Sequence, residues 1–325
     1  MESSNLRKNI ESTILNNYLE YTTLFMLFQS EFLTGVYKRY QDLENGNLTL
    51  YFARQAHQDI LRQRDYDLNY NISYKNFWKN HDIINPKKKS IIKISEDLSL
   101  PKETTRRKIL QLIKQKVLNK KNKTIAWLPS EEYKKNYNLF INKEIDELSQ
   151  LMNFICKKLN IDTTSQEIAK ELKDKFSFYW FHYLNTQLEY IKIWTKQFKD
   201  LELVLIFIQV ITRISAKAKE KSITHENLYK SPSVIKSFED LTISATSISE
   251  VTGIPRATCV RKLEKLVSLK MILQDNFSKR YFLSEEAINS NIINKNITEN
   301  IVKLFSEFYF ICIKAINLKF DTYKD

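Results

Sequence analysis

The chain has 325 residues, 43% of them hydrophobic, and a formal net charge of +13, enough apolar material to bury a sizeable core in about two domains. Its three glycines, Gly35, Gly46 and Gly253, exclude a Gly-rich phosphate loop and a dinucleotide fingerprint. The longest apolar run, Leu203 to Ile211 broken by Gln209, is too short to cross a bilayer, and no basic, apolar, small-residue signal opens the sequence; a soluble, cytoplasmic protein with no membrane partner is expected.

In chain order, apolar periodicity predicts helices over Tyr18 to Asp42 and Asn47 to Gln63. A short helix capped by Ser95 and ending near Leu100 comes next, and Pro101 then stands where a second helix begins. In that second helix, 102–118, Thr105, Ile109, Leu112 and Ile113 form one buried stripe. An apolar close at Val117-Leu118, a polar turn and a strand from Thr124 to Leu128 complete the segment. Helices follow over Ser130 to Leu159, Ser165 to Asp200 and Leu203 to Lys219. The second short helix has Ser249 as its cap and ends near Ile254, and Pro255 opens the helix 256–272 with its stripe Cys259, Leu263, Leu266 and Val267. Met271-Ile272, a strand from Arg280 to Leu283 and a closing helix from Thr298 to Lys319 end the pattern.

The second half of this pattern repeats the first. Ile94-Ser95-Glu96, Pro101, Thr104, Arg107-Lys108 and Leu112 recur 154 positions later as Ile248-Ser249-Glu250, Pro255, Thr258, Arg261-Lys262 and Leu266. Upstream, Glu31-Phe32, Tyr40 and Asp42-Leu43-Glu44 match Glu189-Tyr190, Phe198 and Asp200-Leu201-Glu202 at an offset of 158. Downstream, Phe154-Ile155-Cys156 matches Phe310-Ile311-Cys312 at 156.

Both repeated stretches resemble winged helix-turn-helix domains, most closely those of MarR-like transcriptional regulators. The run from Thr252 to Leu263 carries the family's turn, its first recognition-helix residues and its first core leucine. In the first copy Ser99 stands in place of Gly253, at some cost if φ is positive. The resemblance implies a mainly α fold with two winged domains, about 74–130 and 224–284, embedded in long helices. Each would belong to one half of a pseudo-two-fold duplicated chain, 1–162 and 163–325. It further implies a fused pseudo-dimer whose recognition helices enter successive major grooves of double-stranded DNA, about 34 Å apart. Such a protein would act as a monomer or a homodimer, with a small-molecule effector or RNA polymerase as further partners.

Charge placement points the same way. From Lys87 to Lys123 there are 13 Lys and Arg against Glu96, Asp97 and Glu103, a net of +10, and from Thr246 to Leu283 the net is +4. The rest of the chain is close to neutral, so the cations mark a phosphate-binding surface. Arg106, Arg107, Arg256 and Arg261 are the candidate base-edge or phosphate readers, with Lys102 beside them. Thr104 and Thr258 are expected to cap the helix start or touch phosphates. Lys121 and Lys123, with Lys279 and Arg280, are the candidate wing contacts, and Lys120 belongs to the same tip. Lys87-Lys88-Lys89 reads equally as a DNA-contacting arm or a solvated loop. Arg106 corresponds to Val260, which predicts an asymmetric site.

No catalytic constellation, metal site or cofactor is expected. His57, His81, His182 and His225 are scattered without partners at ligand spacing, the Asp65 and Asp67 pair reads as solvated surface, and Cys156, Cys259 and Cys312 as buried structural thiols. The aromatic cluster Phe176, Phe178, Tyr179, Trp180, Phe181, His182 and Tyr183 reads as cement between the halves, or else as the lining of an effector pocket. Besides a regulator, the sequence admits a replication initiator with tandem winged domains, or a winged-domain scaffold of a chromosome-organising complex; the concentrated charge weighs against the scaffold.

Overall fold

The computed structural model describes residues 3–84, 89–121, 124–220, 242–283 and 295–321. It is mainly helical, with two small two-stranded antiparallel sheets. Among the described residues, no helix is long and apolar enough to cross a membrane. The elements are α1 (Ser3–Asn16), α2 (Tyr18–Tyr40), α3 (Leu43–Tyr66), α4 (Phe77–Ile83), α5 (Ile91–Leu98), α6 (Lys102–Lys114), β1 (Leu118–Lys121), β2 (Thr124–Trp127), α7 (Glu131–Lys158), α8 (Ser165–Asp174) and α9 (Phe176–Phe198). After them come α10 (Leu201–Glu220), α11 (Ala245–Thr252), α12 (Arg256–Ser268), β3 (Ile272–Gln274), β4 (Tyr281–Leu283) and α13 (Lys295–Asp321). Residues 224–241 of the second expected winged window, His225 among them, lie outside the described residues.

The contacts sort into two compact units that do not follow the halves of the repeat. One comprises Met1–Thr13, Glu44–Lys196 and Lys303–Asp325; the other comprises Ile14–Leu43 and Gln197–Val302. In the first unit, α7 starts at the N-cap Ser130, whose side chain accepts from Tyr133 N, with Glu131 and Glu132 in its first turn and Lys157 and Lys158 in its last. Acids at the start and cations at the end both suit the helix dipole. α8 opens on a capping box between Thr164 and Glu167.

The single helix expected from Ser165 to Asp200 is instead broken at Lys175, whose backbone leaves helical geometry (φ −114°, ψ 42°). The break re-aims the chain: Ser177 N donates to Ile72 O at 3.0 Å, and Phe176, Tyr179, Trp180 and Tyr183 are fully buried. Phe176 meets the rings of His57, Tyr74 and Phe77 edge-on. Tyr183 donates to Glu144 Oε1 and packs on Phe308. These rings join α9 to α3, α4, α7 and α13 in one core, which supports the cementing role expected of the cluster. α1, not anticipated from the sequence, buries Leu6, Ile10 and Ile14 at four-residue spacing.

The second unit is built around α10. Leu203 to Ile211 are buried without exception, Gln209 included, so α10 is covered on all sides along this run. Gln209 Nε2 donates to Ser30 Oγ of α2 at 2.8 Å, and Thr212 Oγ1 to Met26 O at 3.2 Å. These bonds satisfy polar groups that burial would otherwise strand at a cost of about 1–3 kcal/mol each.

Candidate nucleic-acid interface

α5-α6-β1-β2 and α11-α12-β3-β4 share several local hydrogen bonds, at the start of the first helix, the start of the second and its end. The caps are Ser90 and Ser244, which accept from Lys93 N and Ser247 N. Ser95 and Ser249 are therefore not caps. They sit inside their helices, with hydroxyls donating to Ile92 O and Ile254 O. The helix must start before Ile94 to bring Ile94 and Leu98 onto its buried face. Both first helices end in a left-handed residue, Ser99 (φ 54°) and Gly253 (φ 79°). The strain on Ser99 is expected to be worth about 1 kcal/mol; Ser99→Gly should raise the melting temperature, and an unchanged or lowered midpoint would refute it.

Pro101 and Pro255 occupy the N-cap positions of α6 and α12, and their carbonyls accept from Thr105 N and Cys259 N. Thr104 and Thr258 lie half-buried in the first turn, inside the helix, and do not cap it. The helices expected to reach 118 and 272 stop at Lys114 and Ser268. There Lys116 (φ 57°) and Lys270 (φ 60°) turn the backbone, and Val117 N and Met271 N fold back onto Leu112 O and Leu266 O. The hairpins follow, pairing Leu118 with Trp127 and Ile272 with Leu283. Ile243 bridges Tyr281 on the far side of β4.

The buried stripes are Thr105, Ile109 and Leu112 in α6 and Cys259, Leu263 and Leu266 in α12, as the periodicity predicts; Ile113 and Val267 are only half-buried. Burial holds the Cys259 thiol up at about 11, an inert packing group. On the opposite faces Lys102, Arg106, Arg107, Arg256 and Arg261 are exposed. Arg106 lies 3.6 Å from Glu103, both well solvated, a pairing worth little. Arg256 Nε donates to Thr246 Oγ1. Lys279 is exposed, whereas Arg280 is tied to the hairpin base through Thr242 Oγ1 at 2.7 Å and Thr242 O at 3.2 Å. Lys121 ends β1, paired with Thr124. Lys123, Lys87 and Lys88 fall outside the described residues.

Two cations counted with the basic surface point inward. Lys108 and Lys262, equivalent in the repeat, are 8% and 9% exposed. Lys108 Nζ lies 3.3 Å from Glu44 at the start of α3. Lys262 Nζ lies 2.7 Å from both Asp200 oxygens and 3.2 Å from Glu202, at the start of α10. The recurring acidic triplet and the recurring lysine are thus partners, each clamping a second helix to the long helix that precedes its segment. Their recurrence together was the available sequence signal.

No family model, curated protein or solved structure matches the chain. The reading of the surface therefore rests on its own chemistry: guanidinium groups displayed on the solvent face of a short helix that is pinned by a turn, a buried stripe and an ion-pair clamp.

A separate cleft of about 460 Å³, its open mouth included, lies in the first unit between α3, α4 and β2. Phe52, Ala56, Ile125 and Trp127 supply its apolar walls, with Asp59, His81 and Lys89 among its polar ones. No member of the 176–183 aromatic cluster lines this cleft.

Proposed function

We propose that the chain is a sequence-specific double-stranded DNA-binding regulator of transcription, and that α5-α6-β1-β2 and α11-α12-β3-β4 are winged helix-turn-helix domains acting together as a fused pseudo-dimer. The observation that carries this reading is the exposed arginine face of α6 and α12, set opposite a buried stripe within the stretches where the net positive charge is concentrated. Arg107 and Arg261 occupy equivalent positions and can each grip a guanine edge or a phosphate. Arg106 and Val260 are equivalent and chemically unlike, so the two half-sites differ.

The test is to incubate the protein with sheared genomic DNA at near-physiological salt and sequence what it retains. Two imperfect inverted half-sites near promoters are the expected result. Direct repeats at one origin-like locus would replace the regulator with an initiator, and no enrichment would refute sequence-specific binding. On an enriched site, Arg261→Ala should cost about 1–3 kcal/mol and relax preference at one position; unchanged affinity and preference would remove Arg261 from the readers. Lys121→Ala should weaken binding to every sequence and lower the salt slope by about one. An unaltered slope would remove Lys121 from the contacts.

A further inference from the structure

The two hairpins differ at their tips. Between its paired ends Ile272 and Leu283 the second is two residues longer than the first between Leu118 and Trp127, which is where the repeat offset passes from 154 to 156. The longer tip carries Phe277, 97% exposed and the most exposed large hydrophobic side chain among the described residues.

This ring sits on a hydrogen-bonded tip. Asp275 N donates to Arg280 O at 2.9 Å and Lys279 N to Asp275 O at 3.0 Å. Asp275 Oδ1 accepts from Phe277 N at 3.1 Å and Ser278 N at 2.7 Å. Lys279 takes a positive φ of 56°, and Gln274 Nε2 braces the base through Tyr281 OH at 3.0 Å. Phe277 buries almost nothing in the fold, so packing within its own domain gives no reason for an aromatic at this place. The side chains displayed around it are Asn276, Ser278 and the exposed cation Lys279, and the Asp275 carboxylate is engaged by two amides of the tip. An exposed apolar ring two residues from an exposed cation, at the end of a hairpin, complements one occupant well: the minor groove, where apolar wedges enter between base steps and kink the duplex.

We propose that Phe277 is such a wedge, entering the minor groove beside the bases facing α12 and bending the DNA there; the first hairpin, with its short lysine-rich tip, has no counterpart. This rests on the DNA-binding reading above. Ligation of a mixed-sequence linear duplex of about 120 bp, shorter than the persistence length of about 150 bp, reads bending directly as the rate of circle closure. Wild type is expected to accelerate closure about tenfold or more. Phe277→Ala should bind the same duplex within about threefold of wild type with an unchanged salt slope, yet lose the acceleration, and Phe277→Leu should retain it. Closure by Phe277→Ala as fast as by wild type, or by Phe277→Leu no faster than by Phe277→Ala, would overturn the wedge while leaving DNA binding intact. A wild-type protein that binds no duplex would instead overturn the DNA-binding reading, and the wedge with it.

Discussion

Replacing Asp200 with Ala is expected to destabilise the second unit by about 3 kcal/mol. Both carboxylate oxygens of Asp200 hold the Lys262 ammonium at 2.7 Å, and that side chain is only 11% exposed. Removing one partner of a buried ion pair costs about 3–5 kcal/mol, because the other charge is left in a poor solvent. Glu202 at 3.2 Å tempers the loss. Asp200 Oδ1 also accepts from Leu203 N at 3.1 Å, capping α10, which adds about 1 kcal/mol. Asp200→Asn preserves a capping oxygen and should fall between Ala and wild type. Lys262→Met should be near neutral, since it removes the buried charge and leaves two carboxylates that can reach water. In the double variant Asp200→Ala with Lys262→Met, most of the Asp200 penalty should vanish. Amide hydrogen exchange in α10 reports these differences unit by unit. Strictly additive single and double variants would show that the pair is not coupled. A second outcome separates the neighbours on α12: Lys262→Met should leave DNA affinity nearly intact, whereas Arg261→Ala should not.

Much of this arrangement could be read from the residues, and the failures have physical causes. Pro101 and Pro255 announced the second helices because their missing N–H groups are harmless there, and the stripes Thr105-Ile109-Leu112 and Cys259-Leu263-Leu266 announced the buried faces. The caps are ambiguous in the sequence because serine recurs five residues apart at Ser90 and Ser95, and at Ser244 and Ser249; only the need to bury Ile94 and Leu98 decides between them. The helix ends are hidden in the sequence because Lys116 and Lys270 take left-handed geometry that glycine usually marks. Lys108 and Lys262 looked like surface charge beside Arg107 and Arg261, since a lysine's burial depends on an acid far away in sequence. The composition of the compact units was hidden for a related reason: repeat halves are defined by sequence order, whereas α2 and α10 meet through contacts such as Gln209 with Ser30 that no local pattern encodes.

Acid should begin to destabilise the first unit as pH falls through the ordinary histidine range, before Asp82 and Asp97 are protonated. His57 is fully buried, stacked on Phe77 at 4.5 Å, and neither ring nitrogen has a hydrogen-bond partner among the described residues. Burial, and then the charge of His81, hold its pKa well below the ordinary histidine value. His81 is lowered as well, by burial, against an opposing pull from Asp82. The sign follows directly. The unfolded chain takes up these protons near pH 6.5 while the native state refuses them, so stability is full above that pH and falls below it. The loss approaches about 1.4 kcal/mol per pH unit for each histidine that stays neutral. For Asp82 and Asp97, burial is outweighed by bonds from Lys134 and His81 and from Lys93 and Tyr51 respectively, so both carboxyls are depressed. Their contribution survives until lower pH, which leaves the window from about 6.5 to 5 to the histidines. All four tryptophans, Trp78, Trp127, Trp180 and Trp194, lie in this unit, so tryptophan fluorescence during denaturant unfolding reports it selectively. Between pH 7 and pH 5 the wild-type midpoint should drop, and His57→Leu, close to histidine in volume and unable to titrate, should remove the His57 share of that drop and leave the share of His81. An equal drop in His57→Leu would show that protonation of His57 does not limit the stability of this core.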